Sequence, residues 1–411
     1  MEKQELIPHL FRTEYSKIVS VLCRRFGFEH METAEDIASE TFLTAAQTWG
    51  LNGAPPNPVA WLYSVAKNKA KNHLQRSTVF ETKVATEIKN SYSYSDESEI
   101  DLSPQNISDS QLQMMFAICD PSIPAEAQIG LSLRILCGFG IDEIAEAFLS
   151  NKETINKRLY RAKEKLRREH KKIEFPDVAE INKRLDNVLT TIYLLFSEGY
   201  YSVSQNQTLR KDLCFEAIRL CNMLVENKTT NTPPVNALLS LMYFHASRFE
   251  ARLNKNGDLV LYDDQDTNLW NDELIGKGAY FLKCATGGNE LSKYHLQAAI
   301  AYWNTQKADT IEKWENILQL YNNLLQIEYS PIAALNRTYA LSKANGKLPA
   351  IIEAEKLNLT GNHFYFALLG ELYTDIDDKK AILNLKKALS LAKTDTDKKL
   401  MQKKIDRLSA L

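Results

Sequence analysis

The chain has 411 residues, 44% of them apolar and 25% charged. This is an ordinary globular composition, long enough for about two to three domains. With 50 Lys and Arg against 52 Asp and Glu, the formal net charge is −2. That excludes a polycation, so any nucleic-acid site must come from local segregation of charge.

The N-terminal MEKQELIPHLF lacks the basic-then-apolar order of a secretion signal. Six scattered cysteines without a C-x-x-C pair fit reduced thiols better than disulfides or a zinc site. The longest apolar stretches, such as Val188–Phe196, are too short and interrupted to span a bilayer. The expectation is a cytoplasmic protein with no membrane contact.

The first predicted helix carries Leu6, Leu10, Tyr15, Ile18, Val21 and Leu22 at helical spacing and ends near Gly27. A second is expected to start at Thr33, a good N-cap type, with acids in its first turn. Its apolar side is read as Ile37, Phe42, Leu43 and Ala46, its acidic side as Glu35, Asp36, Ser39 and Glu40. NGAPPNP (Asn52–Pro58) breaks the pattern. Then Ala60–Arg76 forms a helix with Leu62, Ala66, Ala70 and Leu74 in one stripe. Lys67, Lys69, Lys71 and Arg76 make it basic, and Asn68 and Asn72 lie one turn apart on its open side. Basic residues with amide donors and nearby aromatics suit backbone contact together with base reading or stacking.

From Ser77 to about Ser110 the chain is rich in Ser, Asn, Tyr and acids, without apolar period. It reads as a flexible acidic linker. Helix resumes over Leu112–Phe139, interrupted at Asp120-Pro121-Ser122. Gly140–Arg168 then reads as a short helix, a turn at Leu149–Asn151 and a basic helix whose apolar stripe is Ile155, Leu159, Ala162 and Leu166. Lys157, Arg158, Arg161, Lys163, Lys165, Arg167 and Arg168 cover its other side. This is a helix-turn-helix layout, in which the second helix enters the DNA major groove.

Beyond Pro176 the pattern is almost entirely helical, with breaks near Thr229–Pro234, Asn254–Asp258, Gly287–Gly288, Ser330–Pro331, Gly346 and Gly361. Ala367–Tyr373 followed by Ala381, Leu385 and Ala388 fits, with one deletion, a tetratricopeptide repeat. The expectation there is an α-solenoid.

No G-x-S-x-G, H-E-x-x-H or phosphate-loop motif occurs. Asp264–Asn268 starts like a calcium loop, but Leu269 and Ile275 stand where Gly and the bidentate Glu belong. Glu198 in LFSEGYYS is read as a helix end rather than a ligand contact. We therefore expect no enzyme, no cofactor and no metal.

Taken together, AEDIASETFLTAAQTW (Ala34–Trp49), NPVAWLYSVAKNKAKNHLQR (Asn57–Arg76) and Gly140–Arg168 resemble the conserved regions of the extracytoplasmic-function bacterial RNA polymerase sigma factors. LLFSEGYYS, LVLYDDQDTNLWND, YHLQAAIA and SPIAALNR resemble the C-terminal half of a subgroup with a tetratricopeptide-like domain. The resemblance implies an all-α protein in four parts: sigma region 2 over 1–77, the linker over 78–107, a region 4 helix-turn-helix over 108–175, and a helical regulatory domain over 176–411. The implied partners are core RNA polymerase (the β′ clamp and the β subunit), promoter DNA and a regulatory protein on the C-terminal domain. By the same match Asp36, Ser39 and Glu40 dock on polymerase. Lys67, Asn68, Lys71, Asn72 and Arg76 face the minus-ten strand, and Trp61 is mainly structural. Lys152, Thr154, Asn156, Lys157, Arg158 and Arg161 read the minus-thirty-five element. The family usually has Arg at the position of Lys67 and Asp near Asn72. The alternative is a DNA-binding regulator with an effector-binding solenoid, which would bind an operator without polymerase.

Overall fold

The computed structural model describes residues 6–84, 100–148, 150–169, 173–200, 210–254, 260–288, 290–392 and 394–409. Every extended regular element among them is a helix. They divide into two compact units, Met1–Leu194 and Leu195–Leu411.

The first unit begins with α1 (Leu6–Phe26) and α2 (Met31–Asn52). Gly27, at φ +82°, closes α1, and its N–H donates to the Cys23 carbonyl. A 3₁₀ turn at Phe28–His30 then leads directly into α2. The second helix therefore starts two residues before Thr33, which lies inside its first turn rather than capping it. α3 (Pro58–Val84) follows, with Pro58 in the first turn and the Asn57 side chain accepting from the Ala60 N–H at 3.0 Å. Its helical backbone passes the end expected at Arg76 and takes in part of the expected linker. Residues 85–99, the rest of that linker's acidic run, lie outside the described residues, as does the Arg76 side chain.

α4 (Pro104–Ile118) is capped by Ser103, with Pro104 at its first position. It packs on α1, where the buried Gln111 side chain donates to Ser16 at 3.4 Å. α5 (Ala125–Leu131) runs into a π-helical turn at Ser132–Leu136, and Gly138 at φ +71° ends it. α6 (Ile141–Ala147) and α7 (Lys152–Arg168) come next. α8 (Val178–Tyr200) carries the chain across the unit boundary. Its Asn187 donates to the Cys119 carbonyl and, at 2.8 Å, to Gln128, which Thr191 also reaches at 3.0 Å. The stretches 1–77 and 108–175 thus belong to one compact unit, and the unit boundary falls inside α8 instead of at 175/176.

The second unit is a series of helices, each packed on the next: α9 (Lys211–Glu226), α10 (Pro233–Ala246), α11 (Asp272–Cys284), α12 (Lys293–Asn304), α13 (Ile311–Ile327), α14 (Pro331–Asn345), α15 (Lys347–Leu357), α16 (His363–Tyr373), α17 (Asp378–Leu391) and α18 (Asp395–Ser409). α10 also packs on α12, and α14 on α16; packing between near neighbours of this kind builds a core that extends along the chain. At Gly370 on α16, a Cβ would lie 2.6 Å from Leu385 Cγ on α17, so only glycine lets the two helices approach this closely. α8 itself continues through Gly199 to Tyr200, where a turn was expected. Tyr201, Ser202 and the break at 255–258 lie outside the described residues.

Candidate polymerase and nucleic-acid interface

α2 buries Ala34, Ile37, Ala38, Thr41, Phe42, Ala45 and Trp49 against its neighbours. Asp36, Ser39 and Glu40 are thereby left together on the open face, three and four residues apart. The Ser39 hydroxyl donates to the Glu35 carbonyl at 2.8 Å, and Glu40 pairs with Lys69 of α3 at 3.0 Å. Leu43, expected on the apolar side, is instead 57% exposed and continues the open face beyond Asp36 and Glu40. Ala46 is exposed as well. The 36-40-43-47 spacing carried that signal; a hydrophobic residue type suggested the wrong side.

Glu35 departs from its acidic neighbours. Its side chain is only 12% exposed and sits between Lys163 of α7 at 2.5 Å and Arg134 of the π-helical turn at 3.3 Å. Arg134 also donates to the Phe139 carbonyl at 3.1 Å and lies over the ring of Tyr15. The Tyr15 hydroxyl is pushed up to about 12 by burial, an effect that the Arg134 charge opposes. Arg167 reaches toward Glu32, and Arg12 of α1 pairs with Glu143 of α6 at 2.5 Å.

α3 buries Leu62, Ala66 and Ala70. Asn68, Lys71 and Asn72 are exposed and Lys67 is half-buried, so these four lie around one open side. Trp61 packs edge-on against Trp49 of α2, with ring centroids 5.2 Å apart. Tyr63 donates to Glu14 at 2.5 Å, and burial together with that carboxylate pushes its hydroxyl well above the usual range.

α7 is capped by Asn151, whose side chain accepts from the Thr154 N–H at 2.8 Å. Ile155, Leu159, Ala162 and Leu166 are buried, as their spacing predicts. Lys152, Thr154, Asn156, Lys157 and Arg161 are exposed. Lys152 and Lys157 make solvent-exposed pairs with Asp142 and Glu153, which bind weakly and yield readily to another anion. Arg158 instead pairs with Glu126 at 2.8 Å and lies over the Phe148 ring. Lys163, read as part of the open basic side, is turned inward to Glu35. Tyr160, an exposed aromatic between Lys157 and Arg161, was not singled out by sequence reasoning.

In the second unit, Asp266 accepts from the N–H and side chain of Asn268, both at 2.9 Å. The Tyr262–Leu269 stretch is a pair of 3₁₀ turns, the second of them capped by Asp266. Burial raises Glu198, and Arg210 counteracts it. No group of metal-ligating residues occurs among the described residues, and no helix there is long and apolar enough to cross a membrane.

Comparison with known proteins adds two matched segments. Residues 10–79 match sigma-70 region 2, a segment of sigma factors and not of enzymes. Residues 184–286 match DUF6596, a family of unknown function. The uncharacterized protein R00370 of Rhizobium meliloti is 32% identical over 390 residues, covering 93% of this chain and 92% of that protein. The RNA polymerase sigma factor YlaC of Bacillus subtilis is 27% identical over 169 residues, 41% of this chain and 94% of YlaC. That alignment is longer than residues 10–79 alone. No solved structure matches.

Proposed function

The chain belongs to the family of R00370, with a sigma-70 region 2 near its N-terminus and a DUF6596 segment behind it, and from that premise we propose that it is a bacterial sigma factor. It recruits core RNA polymerase to promoters and starts transcription there. The carrying observation is the sigma-70 region 2 match over 10–79, a stretch that presents an acidic open face on α2 beside a basic one on α3.

In this reading Asp36, Ser39 and Glu40 dock on the polymerase β′ clamp, around the apolar centre that Leu43 provides. Lys67, Asn68, Lys71, Asn72 and Arg76 take the minus-ten strand. α6 and α7 act as the helix-turn-helix for the minus-thirty-five element, with Lys152, Thr154, Asn156, Lys157 and Arg161 outward. Supporting this are the four-residue connection, the capped α7 and the exposure of those side chains. Arg158 contributes by holding α7 on α5 as much as by contacting DNA. Phosphate contacts supply salt-dependent affinity and a few side chains supply sequence. The serial helices of the second unit form a tetratricopeptide-like regulatory domain.

Run-off transcription tests this. Purified protein with cognate core enzyme, on a template carrying the promoter upstream of its own operon, gives a transcript of defined length. Absence of any specific transcript overturns the proposal.

A further inference from the structure

The buried charges of the second unit do not balance. Arg248, in the turn after α10, is 8% exposed, and Lys313, in the first turn of α13, is 2% exposed. The nearby carboxylates are committed elsewhere. Asp263 and Asp309 lie 3.2 and 3.9 Å from Lys343, Asp263 also accepts from Tyr339 at 2.6 Å, and Asp309 accepts from the Trp314 indole. Among the described residues, neither Arg248 nor Lys313 makes a salt bridge with a carboxylate.

Their partners are neutral. The Arg248 guanidinium reaches the Tyr200 hydroxyl at 3.4 Å. The Lys313 ammonium donates to the Tyr262 hydroxyl and to the Gln306 carbonyl, both at 2.8 Å. Both cations lie 5.2 Å from the centre of the Tyr262 ring. Arg252, stacked on Tyr200 at 3.8 Å, brings a third positive charge to the same cluster. A ring face returns about 0.5–2 kcal/mol to a cation, whereas each ion withdrawn from water costs several kcal/mol. The aromatic contacts therefore do not offset the burial. Lys313 also stands at the positive end of the α13 dipole, where a cation is disfavoured. Burial lowers its pKa and Arg248 adds to this, against the pull of Asp309 and Asp263. An anion bound here would remove all three penalties together.

We propose that Arg248 and Lys313, which share the Tyr262 ring, hold a small dianionic ligand, either a phosphate group or a dicarboxylate. Two negative charges match the two cations that lack a carboxylate partner. Tyr262 is half-buried, so its ring borders solvent and gives the anion an approach. Tyr200, Arg248, Arg252, Tyr262 and Lys313 all belong to the second unit. The proposal is thus independent of the sigma-factor reading and gives that unit a ligand of its own.

Equilibrium dialysis of the full chain tests it, with radiolabelled inorganic phosphate or succinate at pH 8 and ionic strength held constant with chloride. One saturable site per chain is expected, at which the two probes compete. Tighter phosphate points to a phosphorylated ligand and tighter succinate to a dicarboxylic acid. No saturable binding of either overturns the proposal. Arg248→Gln and Lys313→Gln should each weaken binding by about tenfold or more. Undiminished binding by both variants, with melting curves that show them folded, also overturns it. Hydrogen exchange on the wild-type chain locates the site without any variant. Saturating probe should slow exchange in the peptides that carry Arg248 and Lys313. Slowing confined to other peptides, or none at all, removes the anion from this cluster.

Discussion

Leu43 and Glu35 show how much a single position depends on its surroundings. The acids Glu35, Asp36 and Glu40 look alike in sequence, yet Asp36 and Glu40 are open to solvent while Glu35 is enclosed by two cations. An exposed leucine flanked by acids is the composition of a binding-patch centre, because apolar anchors ringed by polar residues dominate interface energetics. Leu43→Glu should therefore weaken core-polymerase binding by about tenfold or more while leaving the melting temperature unchanged, as fluorescence titration and thermal melts would reveal. On α7, Arg161→Ala should lower the slope of log affinity against log salt for promoter DNA by about one, measured on the polymerase complex. An unaltered slope would remove Arg161 from the phosphate contacts. The outward residues of α7 were legible because Ile155, Leu159, Ala162 and Leu166 define the inner face by spacing alone. The inward turn of Lys163 was not, since helical spacing places it at the edge of that face, where either direction is open.

Among the elements, two joints in the second unit decide how neighbouring helices meet. Alanine is normally the better helix former by about 1 kcal/mol, but at Gly370 its Cβ would press on Leu385. Gly370→Ala should thus destabilise the chain by about 1–3 kcal/mol in urea unfolding, with non-additive coupling to Leu385→Ala. The start of α12 depends on a neutral histidine. His295 Nδ1 accepts from the Ser292 N–H at 3.1 Å, while Nε2 faces the Ala285 carbonyl at 3.1 Å. Burial is the main cause of its lowered pKa. The folded state therefore disfavours the charged ring. Its stabilising contribution is complete above the unfolded value of about 6.5 and is lost as pH falls below it toward the depressed folded value. Melting temperature should drop on acidification from pH 7.5 to 5.5, and His295→Gln, whose amide oxygen can keep the cap, should flatten that drop. A slope identical in the variant would show that other groups carry it.

For the molecule as a whole, α8 decides where the parts end. Pro176 looks like a boundary, yet Asn187 and Thr191 hydrogen-bond into the first unit at Gln128, and Ile181, Leu185, Val188 and Leu189 are buried. Removing one side of a buried hydrogen-bonded contact leaves polar groups unpaired at about 1–3 kcal/mol each. A fragment ending at Lys172 should accordingly unfold at lower urea than one ending at Leu194. Equal midpoints would show that α8 adds nothing to the first unit. Comparing transcription by the two fragments then separates loss of α8 from loss of the second unit.

The sequence by itself determined the helical character, several of the helix ends, the acidic and basic segregation of α2, α3 and α7, and the likeness of residues 10–79 to sigma-70 region 2. These are local properties: hydrogen bonds, caps and apolar spacing act over one to four residues. Tertiary structure alone decided that residues 6–84 and 104–168 share one unit, that α8 belongs partly with them, and that Glu35 is withdrawn from the acidic face. Glu35 and Lys163 stand 128 residues apart. Charges so distant in sequence neutralise each other only when the fold has brought them together and removed the water between them, and no local pattern records that.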